Sequence, residues 1–377
     1  MQLRLHWQPE TIARGSDTNV GARLVQVTSA ALISHNVYCE ERYTSADGRY
    51  LAILRSAVGT EPDEQLWIAD LETGQVAPTG CLINGYPASN LFSDALFFET
   101  RTATSDRLLM RLDLAKWELE EVGDLSACPR TRYGVCSVSP DERYFLGNFR
   151  VEGDIWGLYR VDLSNGSWEV IHTHEHICNP HQQFEPRHGR QVLVQLNWGS
   201  IVDEEYNFLQ LVGEQGATLY VLDIETGAVQ YLPVGKPHTG PVTGHECWVG
   251  DTGRIILTTS DALRGAVYLV APGDERARCL WRGLGFGHIS ASVNGRYFVV
   301  DDFTNGRIYV GSIATGRLLP LCDTGATCAS PQYTHPHPYL TPGSRHVIFN
   351  SDRRGLGQVW AAEVPDWFLV ALDDPLT

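Results

Sequence analysis

Lysine is nearly missing from this sequence: only two of its 29 basic residues are lysines. Almost every positive charge therefore sits on arginine, whose planar fork suits bidentate contact with carboxylates. No stretch approaches eighteen consecutive apolar residues, the length that a membrane-crossing helix needs. The opening MQLRLHWQPETIARG lacks the basic segment and following apolar run of an export signal, so the expectation is a soluble, cytoplasmic protein. Nine cysteines, odd in number and without a CxxC pair, fit reduced, buried thiols better than a disulfide framework or a structural zinc site. A formal charge of −16 argues against sequence-independent nucleic-acid binding, which needs a basic face. The GxSxG elbow of many hydrolases is missing as well.

What the chain does contain is repetition. A polar turn feeding an apolar strand is followed by a second strand ending in another turn. Examples are TSADGRYLAILRS with QLWIADLETGQVAPTG, SVSPDERYFLGNFR with GLYRVDLSNGSWEVI, and SASVNGRYFVVDDF with RIYVGSIATGRLLPL. Turn residues at hairpin positions between β-branched and aromatic runs are how short antiparallel strands read. Seven copies, at intervals of roughly 43–50 residues, have the period of four-stranded propeller blades. The expectation is an all-β, seven-bladed β-propeller occupying 1–377 as one domain. Its last copy lacks the outermost strand, which LRLHW or ARLVQVTS from the N-terminal region would supply to close the ring. One longer interval, WGSIVDEEYNFLQLVGEQG, is expected to form a loop or short helix over one face.

In a propeller, residues just ahead of each blade's first strand gather at one mouth of the central channel. Those segments contain His35, Arg130 and Arg132, His181, His245, His288, and the stiff PQYTHPHP with Gln332, His335 and His337. His288 and His337 each stand eight residues before a turn arginine, and His181 and His245 nine, so matched positions in neighbouring blades should lie close together. A lone histidine there would ordinarily be a packing residue; several converging ones point to a site. Three imidazoles and one amide oxygen, from His288, His335, His337 and Gln332, suit a borderline divalent ion such as manganese, iron or zinc. Alternation along an extended segment should place His335 and His337 on one side, and the flanking prolines reduce the freedom lost on ordering.

At these residues the sequence resembles the oligogalacturonate lyases, bacterial cytoplasmic seven-bladed propeller enzymes of pectin breakdown. SHNVYCEERYTSADGRYL, GHECW and QYTHPHP carry the resemblance. It implies that His288, Gln332, His335 and His337 hold manganese and that His245 is the catalytic base. The substrate would be an acidic oligosaccharide of 4-linked uronic acids, cleaved by β-elimination. Two segments depart from the family pattern: QLNWGS replaces a histidine-containing HEGP-like segment, and GATLYVL lacks an arginine that opens the next strand. Arg130, Arg132 or Arg264 would then clamp the substrate's second carboxylate, with His35, His181, Tyr38 and Tyr133 as further contacts. A non-catalytic propeller that binds a partner, and a different metalloenzyme of sugar acids, are the alternative readings.

Overall fold

The computed structural model describes residues 1–17, 20–58, 64–101, 105, 107–130, 136–260 and 264–374. They form an all-β propeller of antiparallel sheets, most assembled from strands consecutive in the chain, with N-terminal strands added to the first and last. The first sheet runs from Ile33–His35 through Tyr50–Ser56 and Glu64–Asp70 to Gln75–Ile83. Two four-stranded sheets follow, beginning at Ala88–Ser89 and Ser137–Val138. The next two four-strand groups, beginning at Gln183–Phe184 and Val242–Trp248, are joined by a single pairing, Ala217 with Val242. A further sheet begins at Phe286–Ala291, and a last one contains Tyr339–Leu340, His346–Ser351 and Gln358–Glu363. First strands of neighbouring groups pack on one another, for instance Val242–Trp248 on Phe286–Ala291 and the latter on Tyr339–Leu340.

The repeated turn has one recurrent hydrogen-bond pattern. The backbone N–H groups of Tyr50, Tyr144 and Tyr297 donate to the hydroxyls of Ser45, Ser139 and Ser292. Those of Arg49, Arg143 and Arg296 donate to Asp47, Asp141 and Asn294. The turn arginine then reaches the aspartate that ends the third strand, as in Arg49–Asp70 and Arg143–Asp162, at 2.7 and 2.8 Å. The motif's polar residues thus satisfy a backbone donor or a charge at the turn ahead of the blade's second strand, which is why they recur.

The strand missing from the last repeat is Arg23–Gln26, which pairs antiparallel with Gln358–Glu363 through Leu24–Ala362 and Gln26–Trp360. Leu3–Trp7 does otherwise. It runs along outer edges, where Leu3 N–H donates to Trp117 C=O. Trp7 packs on Tyr50 and Trp117.

The expected loop or short helix at 198–216 is instead a small β-hairpin, Ile201–Val202 with Phe208–Gln210. Asp203 accepts from the backbone and side chain of Asn207, closing the turn. Arg150 ties it down by donating to the carbonyls of Val202 and Asp203 and covering Tyr206. The one α-helix among the described residues is Asp366–Asp373. No helix among them is long and apolar enough to cross a membrane, and all nine cysteines are free.

Candidate metal centre and catalytic mouth

Histidines far apart in sequence converge at the inner strands, and each stands at a local break in regular strand geometry. The strand Val242–Trp248 loses register between Val242 and Glu246, so Thr243–His245 leave the ladder. Likewise Phe286–Ala291 breaks register between Phe286 and Ile289, which releases His288. Such bulges re-aim a side chain that a regular strand would bury in the ladder. His181 and His337 reach the site with left-handed backbone, φ 44° and 42°, a conformation that costs energy in non-glycine residues and clusters at functional sites.

His288, His335 and His337 form a triad whose ligand atoms all lie within 4.8 Å of one another. Donors held at about 2.1 Å from one ion are at most about 4.2 Å apart, so closure asks only small side-chain shifts. Two further observations test the fit. His337 is 2% exposed, and its Nε2 is buried without a hydrogen-bond partner. His288 Nδ1 lies 2.7 Å from Asp301, whose other oxygen accepts the His288 backbone N–H. That carboxylate fixes the ring and leaves Nε2 for a ligand, the usual arrangement behind a metal-bound histidine. Burial, reinforced by neighbouring imidazoles, holds His288 and His337 well below the ordinary histidine range, so both are neutral and able to donate a lone pair. The residues present fit a divalent transition ion.

The expected alternation through His335 and His337 is not how they meet. Gln332–Thr334 forms a 3₁₀ turn, His335 is extended and His337 is left-handed. Their rings nonetheless stand 5.8 Å apart at 31°. Two fully buried asparagines hold this backbone. Asn350 donates to His335 C=O and its N–H to Pro336 C=O. Asn36 donates its side-chain amide to His337 C=O and its backbone N–H to Asn350 Oδ1. Asn350→Ala should therefore weaken metal binding by about 10–100-fold with the fold retained, measured by metal titration alongside circular dichroism.

His245 lies beside the triad, its ring 4.3 Å from that of His288. Its side chain is only partly buried, so a ligand can reach it. Burial, then His288, His181 and His335, hold it neutral, well below the ordinary range. The Tyr38 hydroxyl is 3.3 Å from His245 Nδ1, and the Tyr38 ring packs on His337 at 4.6 Å. His181 sits behind Tyr38 with its Nδ1 2.5 Å from Glu40. Burial opposes charge on His181, but the Glu40 carboxylate outweighs it and pushes the imidazole up to about 9.

His35 pairs with Glu64 at 2.6 Å. Both line a cleft of about 330 Å³ together with Tyr86, Tyr333, His337 and Gln332. Gln332 is exposed in that cleft. Arg130 is exposed at the end of a segment whose carbonyls, at Leu125, Cys128 and Pro129, are held by Arg107; no hydrogen bond or ion pair joins it to the histidines among the described residues. Arg132 and Tyr133 lie outside the described residues. Arg264 stands near Gly283, at the outer hairpin of its sheet.

Sequence reading missed Asp301, Glu40, Glu246 and Phe303. Glu246 is fully buried with both carboxylate oxygens unpartnered, and burial pushes it up to about 8. Phe303 packs edge-on against His288 at 5.0 Å, and only glycine fits at 287, where a Cβ would stand 2.3 Å from that ring. The CEE and VVDD runs were the available signals. An acidic residue inside an otherwise apolar inner strand needs a partner.

No family model and no curated relative matches the sequence. Solved structures do. An oligogalacturonate lyase in complex with manganese aligns with a TM-score of 0.77 at 20% identity, covering 98% of this chain and 100% of that one. An oligogalacturonate lyase from Vibrio parahaemolyticus aligns at 0.74 and 18% identity, with the same coverage. The WD40 repeats of RRP9 align at 0.54 and 9% identity, covering 94% of this chain and 100% of that one. The chain has the fold of the oligogalacturonate lyases.

Proposed function

We propose, with that shared fold as the premise, that this chain is a metal-dependent lyase cleaving 4-linked uronic-acid oligomers by β-elimination. We read its sheets as seven blades in one domain, closed by Arg23–Gln26, and place its action in the cytoplasm. The observation that carries the proposal is the convergence of His288, His335 and His337 with the accessible, neutral His245 against them. A divalent ion such as manganese, held by the triad with Gln332 as a further oxygen donor, would supply positive charge against the C6 carboxylate and so acidify C5.

The protein's own groups do the rest. His245 takes the C5 proton, its imidazole being held neutral by burial and the neighbouring histidines and so free to accept it. Buried Asp301 keeps His288 oriented. His35, with Glu64, borders the cleft on the same side as His337, where sugar hydroxyls can be met. The products are a shortened oligomer and one bearing a 4,5-unsaturated uronate, with no covalent intermediate. Elemental analysis of purified protein, combined with ultraviolet absorbance of the conjugated product from a panel of uronide oligomers, tests the reading. Metal-free protein, or oligomers cleaved without the unsaturated end, would refute it.

A further inference from the structure

The turn that feeds a blade's second strand carries an arginine, and in three blades that charge is neutralised in the same way. Arg49, Arg143 and Arg190 pair with Asp70, Asp162 and Asp223, which end the third strands. Strand register places each aspartate opposite the residue that follows the arginine: Tyr50 faces Asp70, Tyr144 faces Asp162 and Gln191 faces Asp223. Two neighbouring blades keep the arginine and lose its partner. Ile255, after Arg254, faces Val270, and Tyr297, after Arg296, faces Ser312.

The two released arginines come together. Arg254 and Arg296 line one surface cavity of about 410 Å³, where Arg278 joins them from the strand Arg278–Leu284. Three guanidiniums thus share one pocket in a protein of formal charge −16. Asp373 is the one carboxylate among the described lining residues; it lies 2.5 Å from Arg296 and accepts the Tyr297 hydroxyl at 2.7 Å. Three positive charges less one negative leave two uncompensated. Arg254 donates to the Thr252 hydroxyl at 3.4 Å and Arg278 to the Ile313 carbonyl, both neutral acceptors. Ile313 and Ala314 add apolar surface to the wall.

We propose that this pocket binds a small phosphate monoester. Such an ester carries about −1.5 to −2 charges at pH 7, which matches the two uncompensated arginine charges, whereas a single carboxylate would leave one of them unmet. Planar guanidinium forks suit phosphate oxygens, two contacts to each fork. The volume falls in the range of about 300–1,000 Å³ usual for small organic ligands, so there is room for the esterified carbon skeleton against Ile313 and Ala314. Arg296 follows the strand Phe286–Ala291, near whose start His288 stands, so the pocket and the histidine mouth lie at opposite ends of the blades. The site is therefore separate from the proposed elimination chemistry and does not depend on it.

The test is calorimetry on the metal-loaded full chain, with glucose 6-phosphate, inorganic phosphate and a galacturonate dimer as titrants. Arg254→Ser and Arg278→Ser are measured beside the native protein. Glucose 6-phosphate should bind one per chain, with an affinity that falls as salt rises because Arg296 is exposed. Each variant should weaken it by about 10–100-fold, the worth of one charge-assisted contact, with metal content and uronide turnover unchanged. Tighter binding of the ester than of inorganic phosphate assigns the site to esters; equal binding of the two would reduce it to a phosphate-ion site and overturn the ester assignment. Phosphate binding that survives both substitutions would place the ligand on the metal in the mouth and overturn the proposal. So would the absence of phosphate binding at millimolar concentration, or a galacturonate dimer that binds equally well and is lost in the same variants. Failure of uronide cleavage would sink the lyase reading and leave these binding results to stand or fall alone.

Discussion

His245→Ala should abolish turnover of uronide oligomers while the purified variant keeps its full complement of metal. General-base help is worth roughly 10²–10⁴ in rate, and the loss should reach at least that range because, among the described residues, the other imidazoles flanking the triad are held by carboxylates. His35 is engaged with Glu64 and His181 with Glu40. The two roles open to His245 can be told apart because its ring stands only 4.3 Å from His288. A base leaves the ion in place when it is removed, whereas a ligand takes the ion with it. Metal content measured on the same preparation used for kinetics decides between them; a metal-depleted variant would make His245 part of the centre.

The second large effect is expected from His337→Ala. This side chain is buried, has an unpartnered Nε2, and is held in a left-handed conformation by Asn36. Removing it takes away one of three imidazoles, so metal occupancy and activity should fall together. The readout need not be catalytic. A ligand that binds only the folded state stabilises it by about 2.7 kcal/mol at a hundredfold excess over Kd. Added manganese should therefore raise the Tm of the native protein and leave that of His337→Ala nearly unmoved. An active, metal-free variant would remove the triad from the chemistry.

Both effects concern residues that the sequence already singled out, and the reason is local. His337 lies just ahead of the innermost strand Tyr339–Leu340 and His245 at the register break within Val242–Trp248, matching places in the recurring turn-and-strand phrase. The same phrase made Arg49–Asp70 and Arg143–Asp162 legible as matching features, since each repeat solves one turn with the same donors and acceptors. The hairpin at 201–210 was less legible. Its strands are two and three residues long and gain their stability from Arg150 and from packing of Val202 and Tyr206 on a neighbouring core, which no local pattern announces.

Asp301 illustrates a different gap. In YFVVDDF it reads as the polar end of a strand, yet it is fully buried and meets His288 because the bulge at Gly287–His288 turns that ring toward it. The Tyr38–His245 contact spans 207 residues and depends on the register break that frees His245 from its strand.

The sequence by itself determined the antiparallel β character, the repeating unit and the set of histidines that share a position within it, because alternation and turn chemistry act over a few residues. Tertiary structure alone decided which N-terminal segment joins the last sheet, how bulges and left-handed residues aim the imidazoles, and which carboxylate, phenol or asparagine stands behind each. Those outcomes depend on the packing of strands distant in the chain, where one residue of register reverses the direction of a side chain.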